Sequence, residues 1–184
     1  MTEGRLAQNP RRRTGTGVDV AAAKGDPEAM TSYFLVKYLH VLGAVVILGT
    51  GIGIAFFMLM AHRSRDAAFI ARTAAIVVTA DMLFTLSAVI LQPVTGGILM
   101  MQSATSLVEH WLAASLLLYA IAGLFWIPVI FMQIEMRDLA RLADAAGQAL
   151  PPRYHALFRR WFLFGIPGFG SVMAILWLMI AKPG

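Results

Sequence analysis

Four long apolar stretches dominate the chain, and charged residues gather between them rather than within them. An α-helix rises 1.5 Å per residue, so about 20 apolar residues are needed to cross the hydrocarbon of a bilayer. Stretches of that order fall at about 31–61, 69–92, 107–134 and 160–181. None alternates for long with period two, as the strands of a membrane barrel would. The pattern predicts an all-α fold, a polytopic membrane protein built as a four-transmembrane-helix bundle over 31–184. Residues 1–30 are polar, without periodicity and without the apolar core of a signal peptide, and read as a disordered tail. Met30 opens "MTSYFLVKYLH" and is an alternative translation start.

Charge sets the orientation. Arg63, Arg65 and Arg72 lie between the first two stretches, and Arg137, Arg141, Arg153, Arg159 and Arg160 between the last two. The connector "PVTGGILMMQSATSLVEH" holds no Lys or Arg. The positive-inside rule then puts both basic loops in the cytoplasm and both termini outside. Within the second basic loop, Leu139, Leu142 and Ala146 recur at helical spacing. This predicts a short amphipathic continuation of the third span, stopped by Gly147 and the Pro151-Pro152 pair.

Composition agrees. The chain is 59% hydrophobic and 14% charged, with mean hydropathy +0.72, whereas soluble domains run at about 45–50% and about 25%. The net charge of +5 flanks the spans instead of forming a soluble basic face, so a lipid bilayer and not a nucleic acid is the expected partner. Without cysteine there is no disulfide and no thiolate metal site. No nucleophile–base pair, phosphate loop or metalloprotease motif appears, and no catalytic residue is assigned.

Ionisable groups inside membrane helices are costly and are functional hypotheses by default. On the first span His40 shares a face with Ala44, Ile47 and Gly51, leaving room for a second helix or a flat ligand. Lys37 lies one turn before it, and Gly49 and Gly53 form a GxxxG packing pair. On the second span Asp81, Thr85, Ala88 and Gln92 make a polar stripe expected to face inward. Asp81 stands roughly 18 Å into its helix, near mid-membrane. Glu109 and His110 sit at the outer end of the third span, Gln133 and Glu135 at its inner end. On the fourth, Gly165, Pro167, Gly168 and Gly170 predict a kink with close backbone approach. His40, Gln92 and His110 all fall in the outer half and are expected to meet at one level. His62 and His155 read as surface residues.

The segments "KYLHVLGAVVILGTGIGIAFF", "ADMLFTLSAVILQPVTG", "WIPVIFMQIEMRDLA" and "LFGIPGFGSVMAILWLMIAKP" together resemble a bacterial family known as predicted integral membrane proteins with a domain of unknown function. The resemblance covers about residues 31–183. More distantly, the K-x-x-H of Lys37 and His40 is similar to the first helix of copper-resistance protein D and of HemJ-type protoporphyrinogen oxidase. The latter resemblance implies haem binding at His40, with a second histidine of that helix at His62. It also implies an intramembrane lysine on the third helix, where this chain has "HWLAASLLLYAIAGLFW" and none.

The leading expectation is therefore a haem b-binding or redox-associated membrane protein, with His40 and His110 as axial ligands and Lys37 at a propionate. The alternatives are a proton-coupled transporter or channel-like protein using Asp81, and an accessory subunit of a membrane complex or homo-oligomer docked through its glycines. The orientation is directly testable. A reporter active only outside the cytoplasm is expected to be active when fused to the C-terminus, and a cytoplasm-only reporter there to be silent.

Overall fold

The computed structural model describes residues 27–103 and 109–183. It is all-helical, and four of its helical rods are long and apolar enough to cross a membrane. The first, α1, spans Pro27–Ser64. The second rod joins α2 (Ala67–Ala80), a π-helical turn (Asp81–Thr85) and α3 (Leu86–Gln102) without a break. The last two are α4 (His110–Ala145) and α5 (Pro152–Ala181). Most of the expected N-terminal tail lies outside the described residues; its last residues, 27–30, belong to α1 and are helical.

The ends follow local chemistry. After α1, Arg65 takes a left-handed φ of 59°. Asp66 then caps α2, its carboxylate accepting from the backbone N–H groups of Ala68 and Phe69 at 2.9 and 3.2 Å. At the far end of α4, Gly147 adopts φ +62°. There the Gln148 N–H bonds to the Ala143 carbonyl and the Gly147 N–H to Asp144, the closure that a left-handed glycine permits. Pro152 opens α5, where the missing N–H costs nothing.

The second rod corrects the expected boundary. The apolar pattern ended that span near Gln92 because Pro93 follows, yet the helix continues to Gln102. Proline in a helix removes the bond to the carbonyl four residues earlier, here Val89. The Tyr119 hydroxyl of α4 donates to the Val89 carbonyl instead. The acceptor that Pro93 orphans is thus met from a neighbouring helix, as a membrane interior requires. Pro128 and Pro167 are likewise carried inside continuous helices.

Bulky side chains are buried at one end only. Met58 and Ala61 of α1, Ile70 and Ala74 of α2, Met136 and Ala140 of α4, and Tyr154, Leu157 and Trp161 of α5 form a single core. This core gathers both arginine-rich loops at the same end of the bundle, as the charge pattern required. Toward the other end the buried residues are small: Gly43, Ala88, Thr95, Ser115 and Ser171. The extension of α4 past its span also turns its apolar face differently from the expectation. Met136, Ala140 and Ala143 are buried and Leu139 packs on the core, while Leu142 is 69% exposed and Ala146 is exposed. Contact with α5 selects that stripe. Arg153 pairs with Glu135 across the α4–α5 turn. On the same extension, the Arg137 guanidinium beside Asp138 holds its carboxyl below the usual carboxylate range.

The proline account predicts a coupled pair. Tyr119→Phe leaves the Val89 carbonyl without a donor and is expected to cost about 1–3 kcal/mol. Adding Pro93→Ala restores a backbone N–H four residues on and is expected to recover much of that loss. Thermal unfolding of both variants in detergent measures it.

Candidate functional site

Polar side chains inside the bundle collect at two places. The first is the seam between α1 and α3. His40 Nδ1 lies 2.8 Å from Thr95 Oγ1. The Gln92 amide donates to the His40 backbone carbonyl at 2.9 Å. Thr95 Oγ1 also lies 2.8 Å from the Leu91 carbonyl and 3.2 Å from that of Gln92, both on its own helix. Two glycines let the helices approach. A Cβ at Gly43 would sit 2.9 Å from Gln92 Nε2, and one at Gly96 would sit 3.3 Å from His40 Cε1. The ring is half-buried and, besides Thr95, it meets the backbone of Gln92.

Of the two occupants the sequence allowed for the small-residue face of α1, a helix takes it. The α3 helix covers His40 and Gly43, and Phe169 of α5 lies 3.7 Å from where a Cβ on Gly51 would sit. His40 and Gln92 meet as expected. His110 does not join them: it is exposed at the first residue of α4 and bonds to no described side chain. Lys37 is exposed one turn before His40, its ammonium 5.7 Å from the Tyr33 ring. Thr95 and Gly96 escaped the sequence reading because the second span was ended at Gln92, and Gly43 because the face of the first span was read through Ala44 and Gly51. The signal was there: Gly43 follows His40 by three residues, and Gly96 follows Gln92 by four.

The second place is mid-bundle. Asp81 is 3% exposed and Thr85 6%, both on the π-helical turn. Across from them α4 presents Trp126 and Gln133, seven residues apart and so on one face. The Trp126 indole N–H donates to an Asp81 carboxyl oxygen at 3.5 Å. Thr85 Oγ1 and both amide atoms of Gln133 are buried without a hydrogen-bond partner. The inward polar stripe of Asp81 and Thr85 is therefore as expected. Trp126 was missed because an indole in an apolar run carries no polar signal.

The glycines divide. Gly168 packs against α4, with Phe125 Cβ 3.5 Å from its would-be Cβ. Gly49, Gly53 and Gly165 would meet nothing within 4 Å, so within this chain they are not packing positions. The GxxxG pair faces away from the partners that α1 chooses through Gly43 and His40. The histidine at the C-terminal end of α1 also departs from its surface reading. His62 stacks on Phe158, with ring centroids 3.7 Å apart and planes within 5°, and its Nδ1 lies 3.4 Å from the buried Tyr154 hydroxyl. His155 is exposed, as read.

Fold and sites define a multi-span integral membrane protein whose intramembrane polar groups are turned between helices. The chain belongs to the family described as predicted integral membrane protein (DUF2269), which matches residues 34–183. No curated protein and no solved structure matches it.

The seam predicts that two similar substitutions diverge. Gly43→Ala collides with the Gln92 amide and is expected to lower stability by about 1 kcal/mol. Gly49→Ala meets open space and is expected to leave the melting temperature unchanged or raise it. Thermal melts of the two variants in one detergent make the comparison.

Proposed function

We propose that the protein is a bacterial inner-membrane haem b-binding or redox-associated protein, oriented with both termini outside, in which His40 would hold the haem iron through Nε2. One observation carries this reading, the Thr95 contact. A threonine hydroxyl has a single proton, and the Leu91 and Gln92 carbonyls lie in position to take it. Thr95 Oγ1 then accepts, and His40 Nδ1–H donates at 2.8 Å. That tautomer leaves the Nε2 lone pair available. A metal-ligating histidine is nearly always fixed this way, by donating its other ring N–H to a second-shell acceptor.

Two further features support it. The residues buried toward the His40 end of the bundle are small, Gly43, Ala88 and Thr95 among them. Lys37 stands one turn further out, where its ammonium can reach a propionate near the interface. His110, at the outer end of α4, is the candidate for a second ligand. Haem, when bound, supplies one-electron redox chemistry tuned by its axial ligands. The protein's own residues set the tautomer of His40, hold α1 against α3 and place a cation at the rim.

Reduced-minus-oxidised spectra of purified protein, with haem added, test this. A b-type α-band and Soret band are expected, and His40→Ala is expected to abolish both. Thr95→Val releases the tautomer and is expected to weaken haem binding by about 10–100-fold. His110→Ala separates a two-ligand site, in which the spectrum changes, from a one-ligand site, in which it does not. A flat spectrum after haem reconstitution contradicts the reading.

A further inference from the structure

The polar group around Asp81 plays no part at His40, and its chemistry points to a different ligand. Asp81, Thr85 and Gln133 are 3%, 6% and 0% exposed. Thr85, Trp126 and Gln133 all face the Asp81 carboxyl. Only Trp126 closes to a hydrogen bond, at 3.5 Å. The Thr85 hydroxyl oxygen and both Gln133 amide atoms have no partner. Buried polar atoms are almost always bonded, so three orphans around one carboxyl need an explanation. Other intramembrane hydroxyls settle locally: Ser87, Ser115 and Ser171 each donate to the carbonyl four residues back.

No charged group balances this carboxyl. No ion pair involves Asp81 among the described residues. On α1 there is no Asp, Glu, Lys or Arg between Lys37 and Arg63, and His40 is engaged by Thr95. On α2 the one charged residue, Arg72, is exposed toward the basic end. On α4 Tyr119 bonds to Val89 and Glu135 to Arg153. α3 contributes no titratable side chain. A lone carboxylate in an apolar interior is strongly disfavoured as a permanent charge.

We propose that Asp81, Thr85, Trp126 and Gln133 form a proton-binding site in the membrane interior, at which the carboxyl takes up and releases one proton. The proton adds to a carboxylate oxygen to give the acid and is returned to water, and no other bond changes. The surrounding groups suit both forms. The carboxylate accepts from the Trp126 indole, the Gln133 N–H groups and the Thr85 hydroxyl; the acid donates its O–H to the Gln133 carbonyl or to Thr85 Oγ1. A metal cation is a poorer match, because two of the three facing side chains carry N–H donors that repel it. The backbone marks the same level. The Leu86 N–H bonds five residues back to Asp81, a π-helical turn of the kind frequent at functional sites.

Infrared difference spectra of the full-length protein in lipid vesicles, recorded across pH, test the proposal. A carboxylic-acid carbonyl band is expected at low pH, lost reversibly through a one-proton transition and absent in Asp81→Asn. Isotopic labelling of aspartate assigns the band in the native chain if Asp81→Asn does not fold. Trp126→Phe removes a donor that serves the carboxylate, and is expected to move the transition up by about one pH unit. Three results would overturn the proposal: no acid band at any pH, a band that persists unchanged wherever the protein stays folded, or a transition that Trp126→Phe does not move.

Discussion

Inside the spans a polar group has no water to turn to, and that constraint decides how these helices pair. Each solution is local and specific. Pro93 withdraws a donor from Val89, and Tyr119 of another helix supplies one. The Gln92 amide crosses to the backbone of α1, which Gly43 allows by having no Cβ. Thr95 Oγ1 lies within hydrogen-bond reach of the Leu91 carbonyl on its own helix and of the His40 ring across the seam. Hydrophobic burial cannot drive these contacts, since lipid tails are as apolar as the side chains. Close approach at glycine and hydrogen bonds across the seam replace it.

The two ends of the molecule are therefore built differently. Where α4 and α5 run on past their apolar stretches, water competes again, and a core of Met58, Ile70, Met136, Tyr154 and Trp161 forms in the ordinary way. Both basic loops hang from that core. The other end holds its helices together through small and polar residues, and it is there that the half-buried His40 imidazole meets Thr95 and Gln92. The bulky core ties the rods together at the basic-loop end, away from His40. Asp81 stands at the junction, on the turn where the helix departs from α geometry.

The sequence showed as much as hydropathy and charge can show. The four spans, the shared side of the two basic loops, the inward stripe of Asp81 and Thr85, and the meeting of His40 with Gln92 were all legible. What was not legible depended on a partner. Pro93 looked like a helix end because nothing local reveals that Tyr119 will replace its lost bond. With the span cut short there, Thr95 and Gly96 fell into a presumed connector, and the seam lost half its residues. Gly49 and Gly53 matched a packing motif, yet α1 packs through Gly43 and Gly51 instead, because His40 fixes which face meets α3. Leu142 had the right spacing for a buried stripe and is exposed, because α5 covers the stripe beside it. His62 seemed solvated among arginines and is stacked on Phe158, a contact made by residues some ninety positions apart in sequence.

The claim on which the functional account rests is that Thr95 holds His40 with its proton on Nδ1 and its lone pair on Nε2. Nitrogen-15 magnetic resonance of histidine-labelled protein in lipid reads that directly, with Thr95→Val assigning the signal. The account predicts a neutral His40 ring protonated at Nδ1 with a bare Nε2, a state that Thr95→Val disperses. A ring protonated at Nε2, or one indifferent to Thr95, would contradict it.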